Sequence, residues 1–202
     1  MAVWAIIPVK PLRRGKSRLA KVISAAERAD LNHYLLEHTI KVLRTIDEIE
    51  NILVISRDKE ALALARDLGA RTVQEYGSPG LNTALTRAVE IARNYETCGV
   101  LVLPADLPKL AADDLRTMLA FRDESPIVVI APDRKKEGTN ALLVCPPDLI
   151  EFNYGEGSYQ KHMEEARKAG ATLEICELPS LELDLDEPED LAFVEADLKF
   201  KD

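Results

Sequence analysis

The chain has 202 residues, 47% of them hydrophobic and 30% charged, with a formal net charge of −9. That size fits a single domain over residues 1–202 with enough apolar content for a substantial core, and the acidity argues against wrapping duplex nucleic acid, which needs a broad cationic face. No apolar run approaches the roughly 18–20 residues of a membrane helix, the opening MAVWAIIPVK is too short and wrongly flanked for a signal peptide, and Cys98, Cys145 and Cys176 form no CxxC, so free thiols in a reducing cytoplasm, away from membranes, are expected.

Val3–Val9 is a continuous apolar run and reads as a buried strand. Residues 24–46 read as a long helix, opened by Ser24 with Glu27 three positions on, a capping box, and carrying Leu31, Leu35, Val42 and Ile46 at helical spacing. Residues 51–56 form a second strand; Asp58 caps a helix running to Leu68, which Gly69 closes. A strand at 71–73, a helix at 81–95, a strand at 99–104 and a helix at 110–121 follow. Strands at 127–131 and 141–145, a helix at 158–169 ended by Gly170, a strand at 172–177 and a helix at 188–198 complete the chain. This alternation predicts a three-layer α/β/α fold around a mixed, mainly parallel sheet covered on both faces. Such sheets bind ligands beyond the carboxyl ends of their strands.

The loop after the first strand is cationic. Lys10, Arg13, Arg14, Lys16, Arg18 and Lys21 are the only charged residues among the first 26, and all 35 Asp+Glu lie later. A basic loop on an acidic body suits a small polyanion such as a phosphate group, although a solvated loop that aids solubility has the same composition. Within residues 8–19, PVKPLRRGKSRL, Gly15 permits close backbone approach, and Lys16 and Arg18 can reach phosphate oxygens. Neither GxxxxGK[ST] nor GxGxxG is present, so an ATPase cradle or dinucleotide fingerprint is excluded.

Two acidic segments stand out. In Leu103-Pro104-Ala105-Asp106-Leu107-Pro108 an apolar strand ends in an aspartate between two prolines, which restrict the backbone; Asp106 is a candidate metal ligand or a turn residue. In Glu182-Leu183-Asp184-Leu185-Asp186 an extended chain puts the leucines on one face and the acids on the other, and stacked carboxylates call for a cation. Asp186 with Glu189 is equally a capping pattern for the last helix. Carboxylates near a phosphate-seeking loop suit Mg²⁺ rather than zinc. His33 and His38 face different directions on their helix and offer no soft-metal site.

Asn82 opens a helix and either starts it or reads a base edge. Gly138-Thr139-Asn140 precedes a strand, and Tyr154-Gly155-Glu156-Gly157-Ser158 precedes a helix. Glycine amides with Thr and Ser hydroxyls at a helix start can hold a phosphate; Ser158 can equally cap its helix, and His162 lies one turn on.

The IPVKPL…GKSRLA opening, LPADLP, the GTN segment, GEGSYQKH and the LDLDEPEDL end together resemble the 2-phospho-L-lactate guanylyltransferase family over nearly the whole chain. The opening departs from the GGxGxR loop of sugar nucleotidyltransferases. The resemblance implies a Rossmann-like, nucleotide-diphospho-sugar transferase-like fold. It also implies a reaction of GTP with 2-phospho-L-lactate to lactyl-2-diphospho-5′-guanosine and pyrophosphate, a step towards coenzyme F-420; some relatives use phosphoenolpyruvate or 3-phosphoglycerate. Carried onto this chain, Asp106, Asp184 and Asp186 would hold Mg²⁺. Pro8, Lys10, Lys16, Arg18, Asn82 and Asp106 would bind the nucleotide, with Asp106 and Lys16 as the catalytic pair, and Thr139, Gly155 and Ser158 would hold the acceptor's phosphate. A molybdopterin or sugar-phosphate nucleotidyltransferase and a non-catalytic nucleotide-binding subunit are the alternatives. A homodimer is the default oligomer.

Overall fold

The computed structural model describes residues 2–13 and 15–193. Arg14 of the basic loop and the part of the predicted last helix beyond residue 193 lie outside the described residues. Seven strands, β1 (Val3–Val9), β2 (Ile49–Ser56), β3 (Arg71–Gln74), β4 (Gly99–Val102), β5 (Ile127–Pro132), β6 (Thr139–Cys145) and β7 (Thr172–Ile175), form one sheet in the order β3-β2-β1-β4-β6-β5-β7. The helices are α1 (Ala25–Leu43), α2 (Lys59–Asp67), α3 (Leu81–Arg93), α4 (Ala112–Leu119) and α5 (Ser158–Lys168). Strand β1 pairs in parallel with β2 and β4, β2 with β3, and β5 with β7; β6 alone runs antiparallel, between β4 and β5. The sheet is therefore mixed and mainly parallel, as predicted.

The alternation within β1 explains the layers. Val3, Ala5 and Ile7 enter one core with Leu36, Ile40 and Leu43 of α1, Leu62 and Ala65 of α2, and Leu115 and Met118 of α4. Trp4 and Ile6 point the other way, into a second core with Leu85, Ala88 and Val89 of α3 and Tyr159 and Ala166 of α5. The first five of the seven β1 side chains are fully buried, which is why the strand reads as a continuous apolar run. A third, smaller cluster joins Leu19, Leu31 and Leu35 to Leu185 and Leu191. It ties the basic loop and α1 to the Asp-rich end of the chain.

The local signals behave as their chemistry requires. Ser24 and Glu27 form the reciprocal capping box, and Asp58 Oδ1 accepts from Glu60 N. The helix predicted over 110–121 is shorter: α4 ends at Leu119 and the chain tightens into a 3-10 turn, Ala120–Glu124, because Pro126 disfavours helical backbone at Ser125. The last segment forms a 3-10 turn, Pro188–Phe193, in place of an α-helix start. Ser158 is not a cap; Gly157, with φ 67°, holds that position.

Leu185→Ala should cost about 2–5 kcal/mol of unfolding free energy in a denaturant titration, the range for emptying a buried leucine site, whereas Val22→Ala, at a 54% exposed position, should stay within about 0.5 kcal/mol.

Candidate active site

Lys16 is the centre of the carboxyl edge of the sheet. It follows Gly15 in the loop after β1, in left-handed backbone conformation at φ 55°. The loop is pinned at several points. Asp58 Oδ2 accepts from Leu12 N at 2.8 Å, Gly15 N donates to Pro11 O, and Asn32 Nδ2 donates to Leu12 O. The Asn32 amide presses so close to Gly15 that a Cβ there would meet Nδ2 at 2.8 Å, so a larger residue would have to displace the amide from its bond to Leu12 O.

The Lys16 side chain is 6% exposed, and its Nζ lies 3.2 Å from Asp106 Oδ2 and 3.2 Å from Asp186 Oδ1. Burial alone would lower the ammonium's pKa; the charges and hydrogen bonds of Asp106 and Asp186 outweigh it and hold it above the ordinary value. Arg18 adds a second cation, 3.0 Å from Glu187 and 3.8 Å from Asp186. Asp106 sits just past β4, and its carbonyl accepts from Leu185 N at 3.0 Å. Further along, Asn140 Nδ2 donates to Leu181 O and Arg134 N to Glu182 O, so the 181–186 segment is laced to β6, to the loop after β5 and, through Asp106, to the loop after β4. Leu181, Leu183 and Leu185 are buried while Glu182, Asp184 and Asp186 are half-buried, the alternation expected from sequence. Asp186 does not cap the last turn: the Asp190 carboxylate accepts from Asp186 N and Glu187 N instead.

The aspartates do not form a ready ligand set. Among the described residues, no three His, Cys, Asp or Glu side chains are grouped to hold a metal ion. The Lys16 ammonium bonds both Asp106 and Asp186. The donor chemistry nevertheless fits a hard divalent cation: all three side chains are carboxylates. Burial and then the charge of Asp106 push the Asp184 carboxyl above its ordinary value, against the opposing charge of Lys16.

Two cavities flank this pair. The apolar one, about 400 Å³, is bounded by Pro8, Lys10, Lys16 and Asp106 at one end and by Arg57, Glu75 and Leu81 at the other. The second, about 630 Å³, is polar and includes Arg18, Arg134, Lys135, Gly155 and Asp184. Asp186 lines both.

Asn82, Thr139 and Ser158 stand behind these walls. Asn82 Oδ1 accepts from Tyr154 N at 2.8 Å and its Nδ2 donates to Tyr154 O at 3.2 Å, so it anchors Tyr154, itself a wall of the first cavity. Ser158 Oγ donates to Thr139 Oγ1 at 3.3 Å, and Thr139 Oγ1 lies 3.0 Å from His162 Nδ1. His162 is fully buried and its Nε2 accepts from Asn153 N at 3.1 Å, which places the ring proton on Nδ1, facing Thr139. Burial pulls the His162 pKa down to about 4, so the ring is neutral and brings no charge to an anion. Sequence reading missed Arg57, Glu75 and Tyr154 as cavity walls; the signal for Glu75 was its place directly after a strand.

Because His162 is depressed from its ordinary 6.5 to about 4, the unfolded chain binds the extra proton between those values. Its stabilising share is complete above about pH 6.5 and is lost as pH falls towards 4. Unfolding free energy measured across that window should fall less steeply in His162→Gln than in the natural chain.

Comparison with known proteins agrees with this geometry. The family model described as "Guanylyl transferase CofC like" matches residues 3–196. The chain is 40% identical over 196 residues to a phosphoenolpyruvate guanylyltransferase of Rubrobacter xylanophilus, covering 97% of this chain and 95% of the relative. It is 36% identical over 187 residues to the 2-phospho-L-lactate guanylyltransferase of Methanocaldococcus jannaschii, covering 92% and 79%. In fold it is similar to a Desulfovibrio desulfuricans G20 protein assigned as a nucleotide-diphospho-sugar transferase, with a TM-score of 0.78 at 16% identity over 100% of this chain and 90% of that one. It is also similar to a 4-diphosphocytidyl-2C-methyl-D-erythritol synthase, at a TM-score of 0.67 and 15% identity over 96% and 98%. The fold is that of the nucleotide-diphospho-sugar transferases, and across nearly its whole length the chain belongs to the CofC-like guanylyltransferase family.

Proposed function

We propose that this protein transfers the guanylyl group of GTP to the phosphate of phosphoenolpyruvate, releasing pyrophosphate. The observation that carries the reading is the Lys16 ammonium bonded to Asp106 and Asp186, with Asp186 shared by two cavities. The apolar cavity takes the nucleotide, with Pro8, Lys10, Lys16 and Asp106 at its phosphate end. The polar one takes the acceptor, where Arg18, Arg134 and Lys135 offset its carboxylate and phosphate charges and Gly155 supplies backbone. Thr139 and Ser158 brace that wall, since Ser158 N donates to Gly155 O at 3.0 Å.

An oxygen of the acceptor phosphate attacks the α-phosphorus, a new P–O bond forms, the α–β anhydride bond breaks, and pyrophosphate leaves with the electron pair. The nucleophile is already anionic at neutral pH, so no general base is required. Both reactants are anions, and their repulsion is the main obstacle. Lys10, Lys16 and Arg18 lower it, and the two cavities hold the reacting groups in line. Mg²⁺ held by Asp106, Asp184 and Asp186 would add charge neutralisation at the phosphoryl oxygens.

Phosphoenolpyruvate is preferred because relatives 30–40% identical carry that name. 2-Phospho-L-lactate is the second reading, supported by the archaeal relatives at 36% and 33%. The two acceptors share a 2-phosphate and a carboxylate. In either case the product is a guanosine diphosphate ester of a three-carbon acid, suited to the assembly of coenzyme F-420 in the cytoplasm.

Pyrophosphate release with Mg²⁺ across four nucleoside triphosphates and phosphoenolpyruvate, 2-phospho-L-lactate and 3-phosphoglycerate tests the reading. Release with GTP and phosphoenolpyruvate is expected; release only with another acceptor, or none from protein that binds GTP, overturns it. Asp106→Asn should lower turnover at least tenfold, about 1.4 kcal/mol of barrier, in protein shown to remain folded, with a lowered melting temperature because one partner of the buried Lys16 ammonium is lost; natural turnover in that variant removes Asp106 from the site.

A further inference from the structure

The far end of the apolar cavity holds an ion pair that the transfer chemistry does not use. Glu75 directly follows β3 and Arg57 directly follows β2, with Arg57 Nε 3.1 Å from Glu75 Oε1. The Glu75 side chain is 14% exposed. Both of those facing atoms are buried without an aligned hydrogen bond, and among the described residues the carboxylate has no polar partner besides Arg57. The surroundings keep it in place: Glu75 N donates to Ser56 O, the Arg57 guanidinium donates to Gly77 O, and Arg87 donates to Tyr76 O at 2.7 Å.

The distance across the sheet assigns this end a role. Strands β3 and β4 are three places apart in the sheet, roughly 14 Å at the usual strand spacing. The loops that follow β3 and β4 thus leave the sheet about a nucleoside's length apart, and Glu75, Asp106 and Lys16 line the same cavity. Between them the cavity is walled by Pro8, Ile55, Pro79 and Leu81, the last 41% exposed, which suits the faces of a flat base.

We propose that Glu75 is the base-reading residue, accepting hydrogen bonds from the N1–H and exocyclic N2–H of guanine, with Arg57 positioning its carboxylate. A carboxylate only accepts. Guanine presents two adjacent donors to it. Adenine and cytosine instead present a ring-nitrogen lone pair beside a single amino group, and uracil flanks its one N–H with two carbonyl oxygens, so each sets an acceptor against the buried charge. The inference rests on placing the nucleotide in this cavity, as in the proposed function.

Calorimetric titration of the full chain with GTP and with ITP, which lacks the N2 amine, tests it without any variant: GTP should bind at least tenfold more tightly. In Glu75→Gln that margin should vanish. XTP, which carries a carbonyl in place of the amine, should gain affinity relative to GTP, because the carboxamide can donate to it. Equal affinity of the natural chain for GTP and ITP, or a GTP margin that survives in Glu75→Gln, overturns the assignment and leaves the transferase reading standing. Base discrimination without pyrophosphate release from any acceptor upholds Glu75 and overturns the transferase reading. Absence of GTP binding by the natural chain overturns both.

Discussion

A buried ammonium must be neutralised where it sits, and in this protein that requirement draws three distant parts of the chain to one point. Lys16 comes from the first loop, Asp106 from 90 positions later and Asp186 from 170 positions later. Removing either carboxylate leaves charge buried without compensation, a costly state in a low-dielectric wall. Lys16 also adopts a left-handed backbone conformation, unfavourable for a side chain of its size by about 1–2 kcal/mol. The structure sustains it through the Asp58 and Asn32 bonds to the loop and the leucine cluster behind it.

The single antiparallel strand extends this arrangement. Because β6 reverses direction between β4 and β5, its first residues, Thr139 and Asn140, lie at the same edge where the parallel strands end. Asn140 then bonds the 181–186 segment, and Thr139 bonds Ser158 and His162. A polar wall is thus built beside the cationic loop from the start of one strand and the start of α5. The two cavities share Asp186; in the proposed function two phosphorylated anions would meet beside it, and Lys16 and Arg18, held in place by carboxylates, would orient their oxygens without reorganising.

Much of the fold was legible in the sequence for a local reason. The run Val3–Val9 needs cover on both faces, the Ser24/Glu27 pair is satisfied within one helical turn, and Leu181, Leu183 and Leu185 are buried between less buried acids, as their alternation implies. The site was legible as ingredients. The basic loop and the acidic segments were visible as charge patterns, yet their pairing was not: two of the three carboxylates read as a metal set, Asp106 and Asp186, are joined through Lys16. Asn82, Thr139 and Ser158 were recognisable as polar groups at element starts, but which partner each satisfies depends on residues 72, 23 or 19 positions away.

The sequence by itself determined the layers, the strand-rich core and the concentration of positive charge in one loop, because hydrophobic period, capping and composition act over a few residues. Only the tertiary structure decided that Lys16 lies between Asp106 and Asp186, that the Asp190 carboxylate takes Asp186 N and Glu187 N, and that Arg57 and Glu75 pair in the wall of a cavity. Those outcomes depend on which strands become neighbours, and strand order arises from the packing of the whole chain rather than from any segment's own preference.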